Sequence, residues 1–127
     1  MKNRILVVDD EQGIRELYRM ELESAGYEVL TAADSAEALG KLGGKEVHLI
    51  ILDIRLKGES GLEMLKDLTD RKIQVPVIIS SAYSSYKSDF SSWLAEGYVV
   101  KSSDIAELLA EVKRVLAKHH PRKGDRS

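Results

Sequence analysis

Charged and hydroxyl side chains directly follow short apolar runs at four places in the chain. One run ends in an acidic pair, another in a single Asp, another in two Ser and the last in a Lys: Asp9, Asp10, Asp53, Ser80, Ser81 and Lys101. If these runs are parallel strands of one sheet, their carboxyl ends lie at the edge where ligands bind in open α/β folds. We therefore expect these side chains to converge in one crevice.

Three carboxylates gathered at one edge repel one another, and folding tolerates this only where a cation compensates. Mg²⁺ suits such a place, because it typically takes one or two carboxylates together with waters and phosphate oxygens. The chain has no cysteine, which excludes thiolate metal sites and disulfides. The pattern therefore predicts a Mg²⁺ site that includes Asp9, Asp10 and Asp53.

A carboxylate beside Mg²⁺ is a competent nucleophile towards phosphorus, and phosphoryl transfer depends mainly on positioning and on neutralising three equatorial oxygens. Mg²⁺ would take part of this charge, Lys101 another oxygen, and a Ser hydroxyl with a backbone N–H the third. The alternative is that the acidic strand ends are solvated or cap helices. Asp53 and Lys101 in matching places favour the site over that alternative.

The elements that position these side chains follow from an alternation of apolar runs with helical periodicity, which is typical of βα units around a parallel sheet. The runs are rich in Leu and β-branched residues, as expected of strands covered on both faces. They lie at residues 5–8, 29–32, 49–52, 77–79 and 98–100.

Helices are predicted between and after these strands. Ile14, Leu17, Tyr18 and Leu22 keep helical spacing before Gly26, and the apolar residues within 105–116 form one stripe. Residues 83–94 also keep helical spacing, although five serines lower their helix propensity. Three further pairs place a capping oxygen three residues before a Glu: Asp34 with Glu37, Ser60 with Glu63, and Asp104 with Glu107.

The composition of the 127 residues limits the function classes. With 43% hydrophobic residues the chain should form one domain, which we place at 1–118, followed by a disordered tail or linker stub at 119–127. The net charge of -2 disfavours direct nucleic-acid binding. No apolar stretch approaches the roughly 18 residues of a membrane span, so we expect no membrane contact and a cytoplasmic location.

Four sequence segments together resemble the receiver domain of response regulators, the phosphoacceptor module of two-component signalling. The resemblance covers about residues 3–117 and is carried by ILVVDDE at 5–11, LDIRL at 52–56 with Gly61-Leu62, PVIISSA at 76–82, and GYVVK at 97–101. It implies a flavodoxin-like, doubly wound α/β fold. The expected sheet has five parallel strands in the order 2-1-3-4-5, with five flanking helices.

The resemblance also implies a role for each site residue. Asp53 would accept the phosphoryl group, and Asp10 would bind Mg²⁺ directly, while Asp9 would bind it through a water. The backbone carbonyl of Arg55 would be a further metal ligand. Lys101, the Ser81 hydroxyl and the backbone N–H of Ala82 would contact the phosphoryl oxygens.

A signalling switch, rather than an enzyme, is the function that the resemblance implies. A sensor histidine kinase or a histidine phosphotransfer protein would donate the phosphoryl group, and a downstream effector protein would read the result. Ser81 would be the switch hydroxyl and Tyr98 the switch aromatic, which turns inward on phosphorylation. Arg55 and Tyr83 would flank the path of the water that hydrolyses the aspartyl-phosphate, and both are large, so we expect slow autodephosphorylation.

The chain departs from the family pattern in three places. Lys57 replaces a usual Pro, which makes the loop after Asp53 less rigid and more basic. Ser102 replaces the usual Pro after Lys101. The 20 positions from Ser81 to Lys101 are about two fewer than the family typically has, so the usual signalling face is expected to be atypical.

Three other functions are alternatives to this prediction. A haloacid-dehalogenase-like phosphatase needs an acid two residues after its nucleophile, where this chain has Arg55. A flavodoxin-like cofactor binder needs a Gly, Ser or Thr phosphate cradle after the first strand, where Asp9 and Asp10 would repel phosphate. A receiver-shaped scaffold that takes no phosphoryl group is disfavoured by the intact set of Asp53, Asp10 and Lys101.

Overall fold

The computed structural model describes residues 2–56, 59–82, 95–101 and 104–119, with only the backbone at 55, 56, 59, 60 and 62. Within these ranges five strands form the main sheet: β1 Arg4–Val8, β2 Glu28–Ala32, β3 Leu49–Asp53, β4 Val77–Ser81 and β5 Gly97–Val100. Four helices are described: α1 Gln12–Ser24, α2 Ser35–Gly44, α3 Gly61–Asp70 and α4 Ile105–His119. None of them is long and apolar enough to cross a membrane.

The main sheet is parallel throughout and its order is β2-β1-β3-β4-β5. This confirms the predicted order, and each predicted apolar run lies inside the corresponding strand. The strand order reverses between β1 and β3, and ligands of open α/β sheets bind at such a point. A short antiparallel pair, Arg55–Leu56 with Glu59–Ser60, follows β3 and was not predicted.

The side chains of the sheet alternate between two cores. One core packs against α2 and α3 and includes Leu6, Val8 and Leu52; the other packs against α1 and α4 and includes Ile51 and Ile78. Because both faces are covered, the middle of each strand is apolar, and the polar residues lie towards the strand ends. The alternation also fixes which face each residue at the strand ends occupies.

The start of α2 and the end of α1 follow the predicted capping chemistry. Asp34 Oδ1 accepts a hydrogen bond from the Glu37 amide at 2.8 Å, and Glu37 Oε1 accepts one from the Ala33 amide at 2.8 Å. Gly26 ends α1 with φ +101°, the left-handed conformation that favours glycine.

The predictions for helices differ from the structure at two points. Leu17, one of the four apolar residues at helical spacing in α1, is exposed because Ile14, Tyr18 and Leu22 define the buried face. Helix α4 continues through His119, one residue beyond the predicted domain boundary. The predicted helix at 83–94 and the rest of the predicted tail, 120–127, lie outside the described residues.

Candidate functional site

The carboxyl edge of the sheet collects the predicted residues from four strands. Asp9 directly follows β1, Asp53 ends β3, Ser81 ends β4, and Lys101 directly follows β5. Asp9, Asp53 and Ser81 are buried, although two of them are acids. The parallel order brings these positions together, as the sequence predicted.

Lys101 lies between two carboxylates. Its Nζ is 2.7 Å from Asp9 Oδ2 and 3.2 Å from Asp53 Oδ2, while Glu11 Oε1 is 3.7 Å away. The side chains of Lys101 and Asp9 are 11% and 2% exposed, so these charges are weakly screened by solvent. The ammonium therefore offsets the repulsion between the two buried acids, and Glu11 joins the site although sequence analysis assigned it no role.

The surroundings of Lys101 keep it cationic. Burial alone lowers the pKa of the ammonium, but the hydrogen bond and charge of Asp9, together with the charge of Asp53, outweigh burial. The pKa of Lys101 is therefore raised above its ordinary value. A fixed positive charge stands beside Asp53 at neutral pH.

Asp9 is held at both carboxylate oxygens and along its backbone. Oδ1 accepts from the Glu11 amide at 2.9 Å, and Oδ2 contacts Lys101. The Asp9 amide donates to the Ala32 carbonyl at 3.0 Å, and Arg15 Nη1 donates to the Asp9 carbonyl at 2.7 Å. These contacts fix the position of the Asp9 side chain and backbone at the edge of the crevice.

Asp9, Asp10 and Asp53 form a cluster that can hold a metal ion. Each offers one carboxylate oxygen, and these oxygens lie within 4.8 Å of one another. Asp10 is exposed, whereas the other two are buried. A donor set made of carboxylate oxygens is the set that Mg²⁺ prefers, so the residues present fit this cation.

The loop after Asp53 is fixed by close backbone contacts. The Ile54 amide donates to the Ser80 carbonyl at 3.2 Å, and the Gly61 amide donates to the Ile54 carbonyl at 2.8 Å. A Cβ atom at position 61 would stand 2.0 Å from the Asp53 carbonyl oxygen. Gly61 entered the sequence analysis only as part of a motif, and its spacing gave no indication of this contact.

The proposed switch residues both lie inside the protein. Ser81 is fully buried, and its carbonyl accepts from the Lys101 amide at 2.6 Å. Tyr98 is 6% exposed and belongs to the core that packs against α2 and α3. The structure describes one state of the domain, so the change of Tyr98 on phosphorylation stays a prediction.

Ser80, which was expected in the crevice, is paired with Tyr18, to which the sequence analysis gave no role in the site. The hydroxyls of Tyr18 and Ser80 are 3.1 Å apart and buried. Tyr18 lies on the buried face of α1, as its helical spacing predicted, and Ser80 lies within β4 rather than after it. Ala82 is described and exposed, whereas Lys57, Tyr83 and Ser102 lie outside the described residues, as does the side chain of Arg55.

The family model of the response regulator receiver domain matches residues 5–113 of the sequence. The alkaline phosphatase synthesis transcriptional regulatory protein PhoP of Bacillus subtilis is 36% identical over 121 residues, which are 91% of this chain and 49% of PhoP. The uncharacterised transcriptional regulatory protein YkoG of the same organism is 36% identical over 117 residues, 91% of this chain and 51% of YkoG. The chain therefore spans about half the length of the curated relatives it matches.

A solved structure supports the same assignment. Response regulator protein TrrA of Thermotoga maritima, in complex with Mg²⁺-BeF, is 49% identical with a TM-score of 0.82, and the match covers 91% of this chain and 100% of TrrA. TrrA has also been solved in complex with histidine kinase ThkA. The domain match, the strand order and the acidic crevice agree, and the chain belongs to the response regulator receiver domain family.

Proposed function

We propose that this receiver domain is a phosphorylation-controlled switch in which Asp53 accepts a phosphoryl group in the presence of Mg²⁺. The observation that carries the proposal is the position of the Lys101 ammonium, 3.2 Å from Asp53 Oδ2, beside three carboxylates whose oxygens lie within 4.8 Å of one another. This arrangement combines a nucleophile, a fixed positive charge and oxygen ligands for a cation. Phosphoryl transfer requires these three parts.

Asp10, Asp53 and the Arg55 carbonyl would hold Mg²⁺ directly. Asp9 would contact it through a water, because both Asp9 oxygens already have protein donors. When bound, Mg²⁺ supplies positive charge that stabilises the phosphoryl oxygens during transfer. The exposed carboxylate of Asp10 faces the solvent from which the cation arrives.

The reaction would join an Asp53 carboxylate oxygen to the phosphorus of a phosphohistidine as the bond from phosphorus to the imidazole nitrogen breaks. The imidazole keeps the electron pair of that bond and leaves as neutral histidine once protonated. The Lys101 ammonium would give up its contact with the Asp53 carboxylate and bind a phosphoryl oxygen. The Ser81 hydroxyl and the Ala82 N–H would donate to the other phosphoryl oxygens. Ser81 and Tyr98 would then carry the change to the rest of the domain.

The partners belong to the same proposal. TrrA forms a complex with a histidine kinase, which supports a histidine kinase, or a histidine phosphotransfer protein, as the phosphoryl donor here. PhoP and YkoG are transcriptional regulatory proteins about twice as long as the match, so output would come through a downstream effector outside residues 1–118. We place the chain in the cytoplasm and regard it as a signalling phosphoacceptor whose own chemistry is limited to phosphotransfer and slow autodephosphorylation.

The test is phosphorylation by acetyl phosphate or phosphoramidate with Mg²⁺, measured by intact mass. Wild type should gain one phosphoryl group, about 80 Da, and Asp53→Asn should gain none. Asp70→Asn, which changes an exposed acid at the end of α3, is the matched control and should label like wild type. A wild-type chain that takes no label under these conditions would refute the proposed function.

A further inference from the structure

The last two residues of β4 connect the backbone of Asp53 to that of Lys101. The Ser80 carbonyl accepts from the amide of Ile54, the residue after Asp53, and the Ser81 carbonyl accepts from the Lys101 amide. The side chains of Asp53 and Lys101 meet directly above this connection, 3.2 Å apart. The position of residues 80–81 therefore sets the separation of the reactive carboxylate from the ammonium.

Helix α1 holds this segment through a side chain. The Tyr18 hydroxyl is 3.1 Å from Ser80 Oγ, in the buried interior. Ile78 belongs to the core on the α1 side of the sheet, so Ser80, two residues later, faces α1 as well. Arg15, one turn earlier on α1, donates to the Asp9 carbonyl. Helix α1 therefore bonds both to Asp9, after β1, and to Ser80, in β4.

Apolar packing alone does not explain why the hydroxyls of Tyr18 and Ser80 meet in the buried interior. Residues 77–79 of β4 are apolar, and two buried hydroxyls cost free energy unless they bond to each other. A hydrogen bond differs from apolar packing because it restrains direction as well as distance. Burial raises the pKa of Tyr18, so the phenol keeps its proton and remains available for this bond.

We propose that Tyr18 is a positioning residue for phosphoryl transfer: its hydroxyl fixes Ser80 and, through the backbone of residues 80–81, sets the distance between Asp53 and Lys101. The inference rests on the proposed function, because it concerns the rate of that reaction. Transfer depends on the placement of the nucleophile and of the positive charge, and small misplacements slow such reactions strongly. Tyr18 is hydrogen-bonded to Ser80 Oγ and acts on the reacting groups through Ser80.

A double-mutant cycle tests the link. Tyr18→Phe keeps the ring and removes the hydroxyl, and we expect the maximal rate of labelling by phosphoramidate to fall about five- to tenfold while the KM for the donor stays unchanged. Ser80→Ala should give a similar loss, and the double variant should be no slower than either single variant. Tyr27→Phe, at a half-buried tyrosine after α1, is the control and should react like wild type.

Two outcomes of this cycle would overturn the inference: a Tyr18→Phe rate equal to that of wild type, or losses at Tyr18 and Ser80 that multiply in the double variant. The rates are measured well below the melting temperature of each variant, so that a loss of stability alone does not change them.

A second measurement needs no phosphorylation. In Tyr18→Phe the amides of Ile54 and Lys101, which donate to residues 80–81, should exchange with solvent about tenfold faster, while amides within α2 exchange as in wild type. Unchanged exchange at both amides would contradict the positioning role. If wild type takes no label, the proposed function fails, and the exchange rates still decide whether Tyr18 fixes this segment.

Discussion

Gly61 and the backbone of Asp53 approach so closely that a Cβ atom at position 61 would stand 2.0 Å from the Asp53 carbonyl oxygen. The same Cβ would lie 3.0 Å from Ile54 Cα. These obstacles are backbone atoms, so no side-chain rotation can relieve the overlap. The start of α3 is therefore joined to the end of β3 by a contact that only glycine permits.

Gly61→Ala should lower the free energy of unfolding by about 2 kcal/mol or more, because overpacking against backbone forces a shift of the chain. Since the shift displaces Asp53, phosphorylation should slow as well. Urea unfolding and mass-based labelling measure the two effects. Gly40→Ala in α2, where nothing lies within 4 Å of the added Cβ, should instead stabilise by about 0.5 to 1 kcal/mol. Equal stability of Gly61→Ala and wild type would contradict this contact.

Asp10→Ala should abolish Mg²⁺-dependent phosphorylation and leave the fold intact, because the exposed carboxylate is a metal ligand rather than a core residue. Without metal, the melting temperature of the variant should rise, since one of three neighbouring negative charges is removed. Calorimetry with and without Mg²⁺ and labelling by phosphoramidate measure both effects. Glu16→Ala, at an exposed acid of α1, should change neither property. Undiminished labelling of Asp10→Ala would refute the metal assignment.

The phosphorylated state should be long-lived, because Arg55 and Tyr83 are large and neither can orient an attacking water as a carboxylate or amide would. Arg55 can also pair with phosphoryl oxygens and stabilise the ground state more than the in-line transition state. The double variant Arg55→Ala with Tyr83→Ala should shorten the half-life of labelled protein by about threefold. Decay with Mg²⁺ is followed by intact mass, with Arg71→Ala as control. An unchanged decay rate would exclude shielding by these two residues.

The hydrogen bond between Glu96 and His119, 2.7 Å from Oε1 to Nε2, should make stability depend on pH. The hydrogen bond from His119 lowers the pKa of Glu96 below its ordinary value of 4.5, with a smaller contribution from Lys118 and against the opposing effect of burial. A lowered folded-state pKa adds stability above the unfolded value, and this stability is lost as pH falls through the folded value. Glu96 is 31% exposed, so screening limits the contribution to about 0.5 kcal/mol.

Glu96→Gln should accordingly lower the urea midpoint at pH 7 and leave it equal to that of wild type once the pH is well below the folded pKa of Glu96. Glu23→Gln, at an exposed acid of α1, should show no such pH dependence. A difference between Glu96→Gln and wild type that stays constant across this range would exclude titration of Glu96 as its cause.

The sheet and the charged crevice were predictable because both depend on local patterns. Apolar runs identify buried strands, and the residue after each run must lie at the carboxyl edge, so the sequence alone predicts that Asp9, Asp53 and Lys101 lie together. The contact between Tyr18 and Ser80 was not predictable in this way. It joins residues 62 positions apart, and an aromatic residue in a helix stripe has the same pattern whether or not its hydroxyl finds a partner.

The ends of two helices also show where sequence patterns stop predicting structure. Helices α1 and α3 end in one motif, in which one amide bonds back five residues and the preceding amide bonds back three: Tyr27 to Leu22 and Gly26 to Glu23 after α1, and Ile73 to Leu68 and Lys72 to Thr69 after α3. Glycine marks the first end in the sequence, and its left-handed φ confirms the prediction. Lys72 is at the matching position after α3, and its φ of 59° is also left-handed. A lysine in the sequence does not indicate this conformation.

Replacing Lys72 with glycine should therefore stabilise the protein. The left-handed conformation costs a residue with a Cβ about 1 to 2 kcal/mol, and the greater freedom of glycine in the unfolded chain returns about half of that. Lys72→Gly should raise the free energy of unfolding by about 0.5 to 1 kcal/mol, measured by urea denaturation. Lys66→Gly, on the exposed side of α3, should lower it by about 1 kcal/mol. If both substitutions destabilise equally, the backbone at Lys72 carries no strain.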